Sequence, residues 1–462
     1  AYEVPERFWD LVKLGVPFAQ KTDGRFRQRH SDFATYRRTM AVPDGSTGRA
    51  IAEALARELQ RREIPVDQGV MLVDLLSTAG HLSGALGCDR QGNLIRYEAG
   101  AVVLATGGVS ALYPYQVSTD EMTGDGLAAA IRAGAEIVNV EFHQMGPSIL
   151  FPLRTGLSAP LYRLKPRFLN GAGQEFLARY LPEGISEEEV FGHKVYPFTI
   201  SNVSRYLDIA IFSEIQAGRG TGRGTVLCDF TSAADQFRAG RCRHTYTRLK
   251  AAGVDLAREP VEVAIAFQCI NGGVRMASEH AETTLPGLYA AGEVAGGIRG
   301  PDRPGGNSLG ECQVFGHRAG VQAALRARER GSLPPDPASR QVLEERLARF
   351  SPSQGTQHPS PLMSRLRQVM GQHALVVRHA TGLDQALAEI EEIRETLEKS
   401  ARIDREALFS ALELDNALLC ARAILEACLR REESRSGHYR TDFPHPDDRH
   451  WRKSLVASLQ DG

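Results

Sequence analysis

The residues best placed to do chemistry lie between Leu285 and Gly320, in the run LPGLYAAGEVAGGIRGPDRPGGNSLGECQVFGHRAG. Leu288, Tyr289, Ala290 and Ala291 read as a short buried strand that Gly292 and Glu293 bring to an end. Glycines follow, and from Ser308 to Gly320 the pattern is helical. Strand, glycine turn and helix start together let backbone N–H groups approach an anionic ligand closely. Glu293 at the strand end suits a ribose hydroxyl, because an ionised carboxylate only accepts hydrogen bonds. Two further segments end in the same way. Residues 101–104 form a continuous apolar run that stops at Ala105, Thr106, Gly107 and Gly108, as a fully buried parallel strand does beside a ligand. Thr123-Gly124-Asp125-Gly126 opens a helix over residues 127–133; its glycines permit close backbone approach, and Asp125 stands where N–H groups favour negative charge. The spacing of the three segments fits one nucleotide site.

The elements that must position these turns follow from periodicity. A helix is predicted over residues 4–14. A basic, loop-like stretch over 15–44 carries Arg25, Arg27, Arg29, His30, Arg37 and Arg38. It reads as a solvated surface or, alternatively, as contacts to a ligand phosphate or to a partner protein. An amphipathic helix over 50–62 places Ile51, Leu55 and Leu59 on one face. Residues 70–76, 82–88 and 94–97 read as a small antiparallel sheet, with turn chemistry at Asp89–Asn93. Beyond residue 331 apolar residues recur at three- and four-residue spacing over 340–350, 363–379, 382–399 and 405–431, the pattern of a helical bundle.

A chain of 462 residues is long enough for several domains with a sizeable core. Its 55 basic and 56 acidic residues nearly cancel, so no global field calls for nucleic acid or a membrane surface. Its 7 cysteines are scattered, with no CxxC pair, and offer neither a metal-ligand set nor a disulfide framework. That usage fits a reducing, cytoplasmic compartment. No stretch approaches the roughly 20 apolar residues of a spanning helix, so a membrane role would come through a partner. No strand–GxGxxG–helix unit, the fingerprint that seats a dinucleotide pyrophosphate, occurs.

The motifs GLYAAGE, DRPGGNSL and VFGHRAG resemble the C-terminal flavin-binding signature of the succinate dehydrogenase/fumarate reductase flavoprotein family, which includes L-aspartate oxidase. VVLATGG resembles a run widespread in flavoproteins, and ESRSGHYRTDFPHPDD resembles the ending of the family's helical domain. The resemblance runs from Ala1 to about Trp451. It implies an α/β fold: a Rossmann-like FAD-binding domain (1–141 and 268–330) interrupted by an α+β capping domain (142–267), then a helical domain (331–451) and a tail (452–462). It also implies that the family's first segment, with GxGxxG, is missing. FAD would lie on Ala105, Thr106, Gly107, Gly108, Asp125, Glu293, Asn307, Ser308 and Leu309. Arg303 would bind a substrate carboxylate, and Arg205 is the candidate for the family's proton-shuttling arginine, although ungapped counting lands on Ser204.

Departures from the family pattern bear on the substrate. Gly146 stands where the family has a substrate-binding His in EF.QFHPT, Ser158-Ala159 replaces Thr-Glu, and Gln268 replaces the His of HY.MGG. His143 lies an odd number of residues from Gly146 and so points to the opposite face of the strand. Arg299 stands where many members have His, and is the candidate to compensate at one end of the substrate. His438, Arg440 and Asp442 read as a polar network that holds the tail. The implied activity is hydride transfer between flavin and a carbon next to a carboxylate, with succinate and fumarate poor substrates and a bulkier carboxylate in the space that Gly146 leaves. The alternatives are an L-aspartate oxidase-like enzyme and a catalytically silent electron-relay subunit. An iron–sulfur subunit is the expected electron partner.

Overall fold

The computed structural model of the protein describes residues 2–31, 35–43, 45–331, 334, 337–349, 358–401 and 403–459. Most of the stretch at 331–335 and the end of the helix predicted over 340–350 lie outside them.

Two short parallel strands, Val102–Leu104 and Leu288–Ala290, lie side by side with Val102 opposite Leu288 and Leu104 opposite Ala290. Ala291 N–H extends the ladder by donating to the Leu104 carbonyl at 2.9 Å. Both runs stop just beyond this point. Gly107 and Gly292 take φ of 76° and 75°, which glycine adopts at no steric cost. The two predicted strand ends are thus neighbours.

Residues Val70–Thr78, His81–Asp89 and Leu94–Glu98 form the expected three-stranded antiparallel sheet, and the first of these packs on the helix Asp125–Arg132. A four-stranded sheet runs in the order Ala295–Gly296, Gly273–Arg275, Ile137–Val138, Val456–Ala457. Its last strand, in the segment expected to be a tail, pairs back onto the first half of the chain.

The cap is built on a five-stranded antiparallel sheet in the order Arg167–Leu169, Val226–Asp229, Val261–Ile270, His143–Ile149, Thr155–Gly156. His143–Ile149 is buried at every position. This strand enters the cap and its neighbour Val261–Ile270 leaves it, so the two crossings are hydrogen-bonded to each other. Gly146 lies opposite Ala266 and Gln144 opposite Cys269, and the register shifts between Phe267 and Cys269. Gln268 is the extra residue of that bulge.

The helices Pro359–His373, Ala380–Ser400 and Arg405–Arg430 pack on one another. The helix predicted over 363–379 stops at His373. Residues 374–379 leave it because His379 caps the next helix, accepting from Gly382 N–H, and because the Arg378 N–H pairs with the Tyr439 carbonyl at 3.1 Å. Arg378 is wholly buried. Its guanidinium donates to Glu141 O at 2.8 Å, His438 Nδ1 at 2.6 Å and His143 Nδ1 at 3.0 Å. Burial and the Arg378 charge hold both histidines well below the ordinary imidazole range, so they stay neutral acceptors. Arg431 bonds Glu141 at 2.7 Å and Glu433 at 2.9 Å, and Arg440 bonds Asp442 at 2.6 Å. The tail network expected from His438, Arg440 and Asp442 is therefore larger, and Arg378 and Arg431 tie it to the cap's entry strand. Among the described residues, no helix is long and apolar enough to cross a membrane.

Candidate active site

Glu293 stands just past the end of Leu288–Ala290, in a one-turn helix over Gly292–Val294. Its Oε1 accepts from Ile270 N–H at 3.1 Å and lies against Gly108, where any Cβ would collide with it. Burial pushes the carboxyl up to about 7, against the Ile270 hydrogen bond and the charges of Arg299 and Arg303. Ala105 and Thr106 are exposed, Gly107 is half-buried, and Gly108 is buried. The helix Asn307–Arg330 begins one residue earlier than predicted, with Gly306 at φ 82° before it. Asn307 and Leu309 are exposed and Ser308 is half-buried. Arg38, from the basic stretch, donates to Asn307 Oδ1 at 3.1 Å, and Ser31 Oγ donates to Gly305 O at 2.8 Å. Part of that stretch therefore packs on the glycine turn and is not simply solvated.

Asp125 is tied into the protein. Both carboxylate oxygens are engaged by the protein, one by Thr123 Oγ1 at 2.6 Å and the other by Asn416 Nδ2 at 2.7 Å. Asp125 ties the start of its helix to the helix Arg405–Arg430, and burial raises its pKa.

Arg303 occupies a different setting. Its Nη2 donates to Gln144 Oε1 at 2.8 Å and lies 3.6 Å from Cys269 Sγ. Gln144 returns a bond from Nε2 to the Arg303 carbonyl at 2.9 Å, and Cys269 Sγ lies 3.3 Å from Gln144 Oε1. Burial pushes the Cys269 thiol up to about 11, so it is a neutral neighbour. The Arg303 Nε is buried and has no protein partner. Nearby in sequence, Gln268 Oε1, Asn271 Oδ1 and Asp302 Oδ1 are also buried without one. Asn271 Nδ2 binds the Pro301 carbonyl at 2.8 Å, which brings the end of the bulged strand against the Asp302–Arg303 loop. Burial raises the pKa of Asp302, whose Oδ2 accepts from Thr199 Oγ1 at 3.4 Å. Buried polar atoms are nearly always paired in proteins, so these unpartnered atoms are candidates to meet a polar ligand.

Arg299, Arg205 and Ser158 are placed differently. Arg299 is closed in an ion pair with Glu311 at 2.7 Å and donates to the carbonyls of Gly292, Ile270 and Glu293. It braces the glycine turn. Arg205 donates from Nη1 to Ile200 O at 2.5 Å and stacks on Tyr206 at 4.9 Å; its guanidinium is committed to its own helix start. Ser158 precedes the short helix Ala159–Tyr162 and is half-buried. The space expected at Gly146 is already filled, because the Tyr196 ring lies 2.7 Å from where a Cβ would stand. His143 faces away as predicted, toward Tyr113 and Arg378. Gln144, Cys269, Asn271, Asp302 and Tyr196 were not among the predicted site residues. Only Gln144 carried a usable signal, since alternation places it on the same strand face as Gly146.

Comparison with known proteins gives the family. An FAD binding domain matches residues 1–309, and a fumarate reductase flavoprotein C-terminal domain matches residues 363–462. The chain belongs to the fumarate reductase/succinate dehydrogenase flavoprotein family. It is 33% identical to a fumarate reductase (CoM/CoB) subunit of Methanothermobacter marburgensis, covering 99% of this chain and 81% of that one. It is 32% identical to an L-aspartate oxidase of Caulobacter vibrioides, over 96% of this chain and 78% of that one. Among solved structures, Mycobacterium smegmatis Sdh1 in complex with UQ1 superposes with a TM-score of 0.84 at 30% identity, covering 100% of this chain and 78% of that one. The fold is the family's, the protein is an FAD-dependent oxidoreductase of this type, and its cofactor is FAD. The residues fit that group: Gly108 and Glu293 meet at the paired strand ends, and the exposed Ala105, Thr106, Asn307 and Leu309 line the turns around them.

Proposed function

We propose that this flavoprotein exchanges hydride with a carbon next to a carboxylate that is seated on Arg303, and that succinate and fumarate are poor substrates. The observation that carries the reading is the buried Arg303 Nε without a protein partner, on a guanidinium whose Nη2 is already fixed by Gln144. Nε–H lies on the same edge as Nη2, so Gln144 fixes the plane of the guanidinium and leaves Nε–H to donate to a carboxylate oxygen in a defined orientation. Glu293, Ser308 and Leu309, with the turn over 105–108, would hold FAD. When bound, FAD supplies the hydride donor or acceptor. The protein's contribution is orientation and exclusion of water, which together account for much of the barrier lowering in such reactions. The Arg205 guanidinium is held by Ile200 O and Tyr206, which favours another group for the proton transfer.

A second reading has its own support. Gln268 Oε1, Asn271 Oδ1 and Asp302 Oδ1 are all acceptors. They favour a substrate that carries an N–H donor beside its carboxylate, and the similarity to L-aspartate oxidase points the same way. Electrons would pass to a separate acceptor, either an iron–sulfur subunit or a soluble oxidant; among the described residues no cluster of metal-ligating side chains occurs. The test is titration of the FAD-loaded protein with acetate, followed by the flavin absorbance shift. Arg303→Met is expected to weaken acetate by about tenfold to a hundredfold, the equivalent of one charge-assisted contact; unchanged affinity would overturn the reading.

A further inference from the structure

We infer that Tyr196 sets substrate choice at the end of the site away from Arg303, and selects a carboxylate whose other end is uncharged and apolar. The inference rests on Arg303 as the carboxylate anchor proposed above. Gln144 and Gly146 project from the same face of the strand His143–Ile149, two residues apart. Gln144 holds Arg303 on that face. The position of Gly146 is therefore about 7 Å further along the same surface.

Tyr196 covers it. Its ring lies 2.7 Å from where a Cβ of Gly146 would stand and 3.0 Å from that of Gly156, so it rests on two bare backbones of adjacent strands. Any side chain at residue 146 would displace it. The segment that follows returns to the anchor: Phe198 N–H bonds the Met145 carbonyl at 2.7 Å, and Thr199 Oγ1 reaches Asp302 Oδ2 at 3.4 Å. Three residues of chain thus connect the ring to the loop that carries Arg303, a span of at most about 10 Å.

Charge decides which far end fits. A second carboxylate brought against this wall would need a cation or several donors. Two cations that flank the Tyr196 segment are held by the protein. Lys194 is buried and bound to Asp208 at 2.6 Å, and Arg205 is bound to Ile200 O and Tyr206. An aromatic ring instead offers apolar surface and edge or face contacts to an apolar group.

The test uses the complete FAD-loaded protein and titrates acetate, phenylacetate and succinate, with the flavin absorbance shift as the readout. Wild type is expected to bind phenylacetate at least about tenfold more tightly than succinate. Tyr196→Phe should keep that ratio, while Tyr196→Ala should weaken phenylacetate by about tenfold and leave acetate unchanged. Tyr196→Leu, which keeps apolar bulk, replaces the alanine variant if the latter does not retain FAD, and should lie between it and wild type. Tighter binding of succinate by wild type, or a phenylacetate-to-succinate ratio unmoved by both Tyr196→Ala and Tyr196→Leu, would overturn the inference. Arg303→Met separates the two ideas. If it leaves acetate binding intact, the anchor is wrong whatever Tyr196 does; if it removes acetate while the Tyr196 variants change nothing, only the present inference fails.

Discussion

The Glu293 carboxylate rests on the bare backbone of Gly108, joining the ends of two parallel strands that lie far apart in sequence. A side chain at residue 108 would collide with the Glu293 carboxyl. Gly108→Ala would drive a methyl group into Glu293 Oε1, and overpacking of this kind costs about 1–3 kcal/mol. The expected outcome is a protein purified with far less FAD than wild type, measured by flavin absorbance against protein concentration. Normal FAD content in Gly108→Ala would show that Glu293 can swing aside without loss.

The raised pKa of Glu293 has a definite sign. Its folded value of about 7 lies above the ordinary 4.5, so between these pH values the folded chain keeps a proton that the unfolded chain has lost. Stability from this group is full below pH 4.5 and falls as pH rises toward 7. Glu293→Gln should therefore flatten the stability–pH curve of the flavin-free protein in that window, raising Tm at pH 8 relative to wild type more than at pH 5. Above pH 7, where the carboxylate is ionised, the same change should weaken FAD by about tenfold or more, because an ionised acceptor is replaced by a neutral one. Thermal melts across pH and FAD titration check the two halves separately.

Arg299 and Glu311 form a buried pair, with side chains 4% and 10% exposed. Arg299→Met strands Glu311 and should cost about 3–5 kcal/mol, seen as a large fall in Tm. Acetate affinity of the folded, FAD-loaded fraction should not change. The opposite pattern, intact Tm with lost acetate binding, would restore Arg299 to the substrate.

Gln144 is a positioning residue for Arg303. Gln144→Leu removes both bonds that fix the guanidinium and its loop, and should weaken acetate by about tenfold while the flavin spectrum of the free protein is unchanged. Gln144→Glu should retain the hold on the Arg303 guanidinium through an ion pair. Equal acetate affinity in Gln144→Leu and wild type would mean that the loop alone orients Arg303.

The flavin side of the fold was legible because its signals are local. Apolar runs that stop at glycine mark strand ends, three- and four-residue spacing marks the helices, and strict alternation turned His143 away from the site. What could not be read was which charged side chain is free. Arg205, Arg299 and Arg303 look alike in the chain. Arg299 meets Glu311 one helix start away, Arg205 meets a carbonyl before its own helix, and only Arg303 retains an unpartnered buried nitrogen. Asp125 looked like a ligand at a helix start, yet Asn416, nearly three hundred residues on, takes one of its oxygens. The glycine at 146 looked like open space, and a tyrosine fifty residues later fills it. The outcomes at Asp125 and Gly146 depend on contacts distant in sequence, and those at Arg205 and Arg299 on how each guanidinium folds back onto neighbouring carbonyls and, for Arg299, onto Glu311, which residue type and spacing do not encode.

The central claim, that this family member does not act efficiently on the symmetric dicarboxylates, is met most directly by a single-turnover experiment. The complete FAD-loaded protein is reduced anaerobically, mixed with fumarate, and followed by the return of oxidised flavin absorbance. The account predicts reoxidation no faster than in buffer alone, with Gly146 covered by Tyr196, Gln268 uncharged and Arg205 and Arg299 engaged elsewhere. Rapid, fumarate-dependent reoxidation that Arg303→Met abolishes would contradict it.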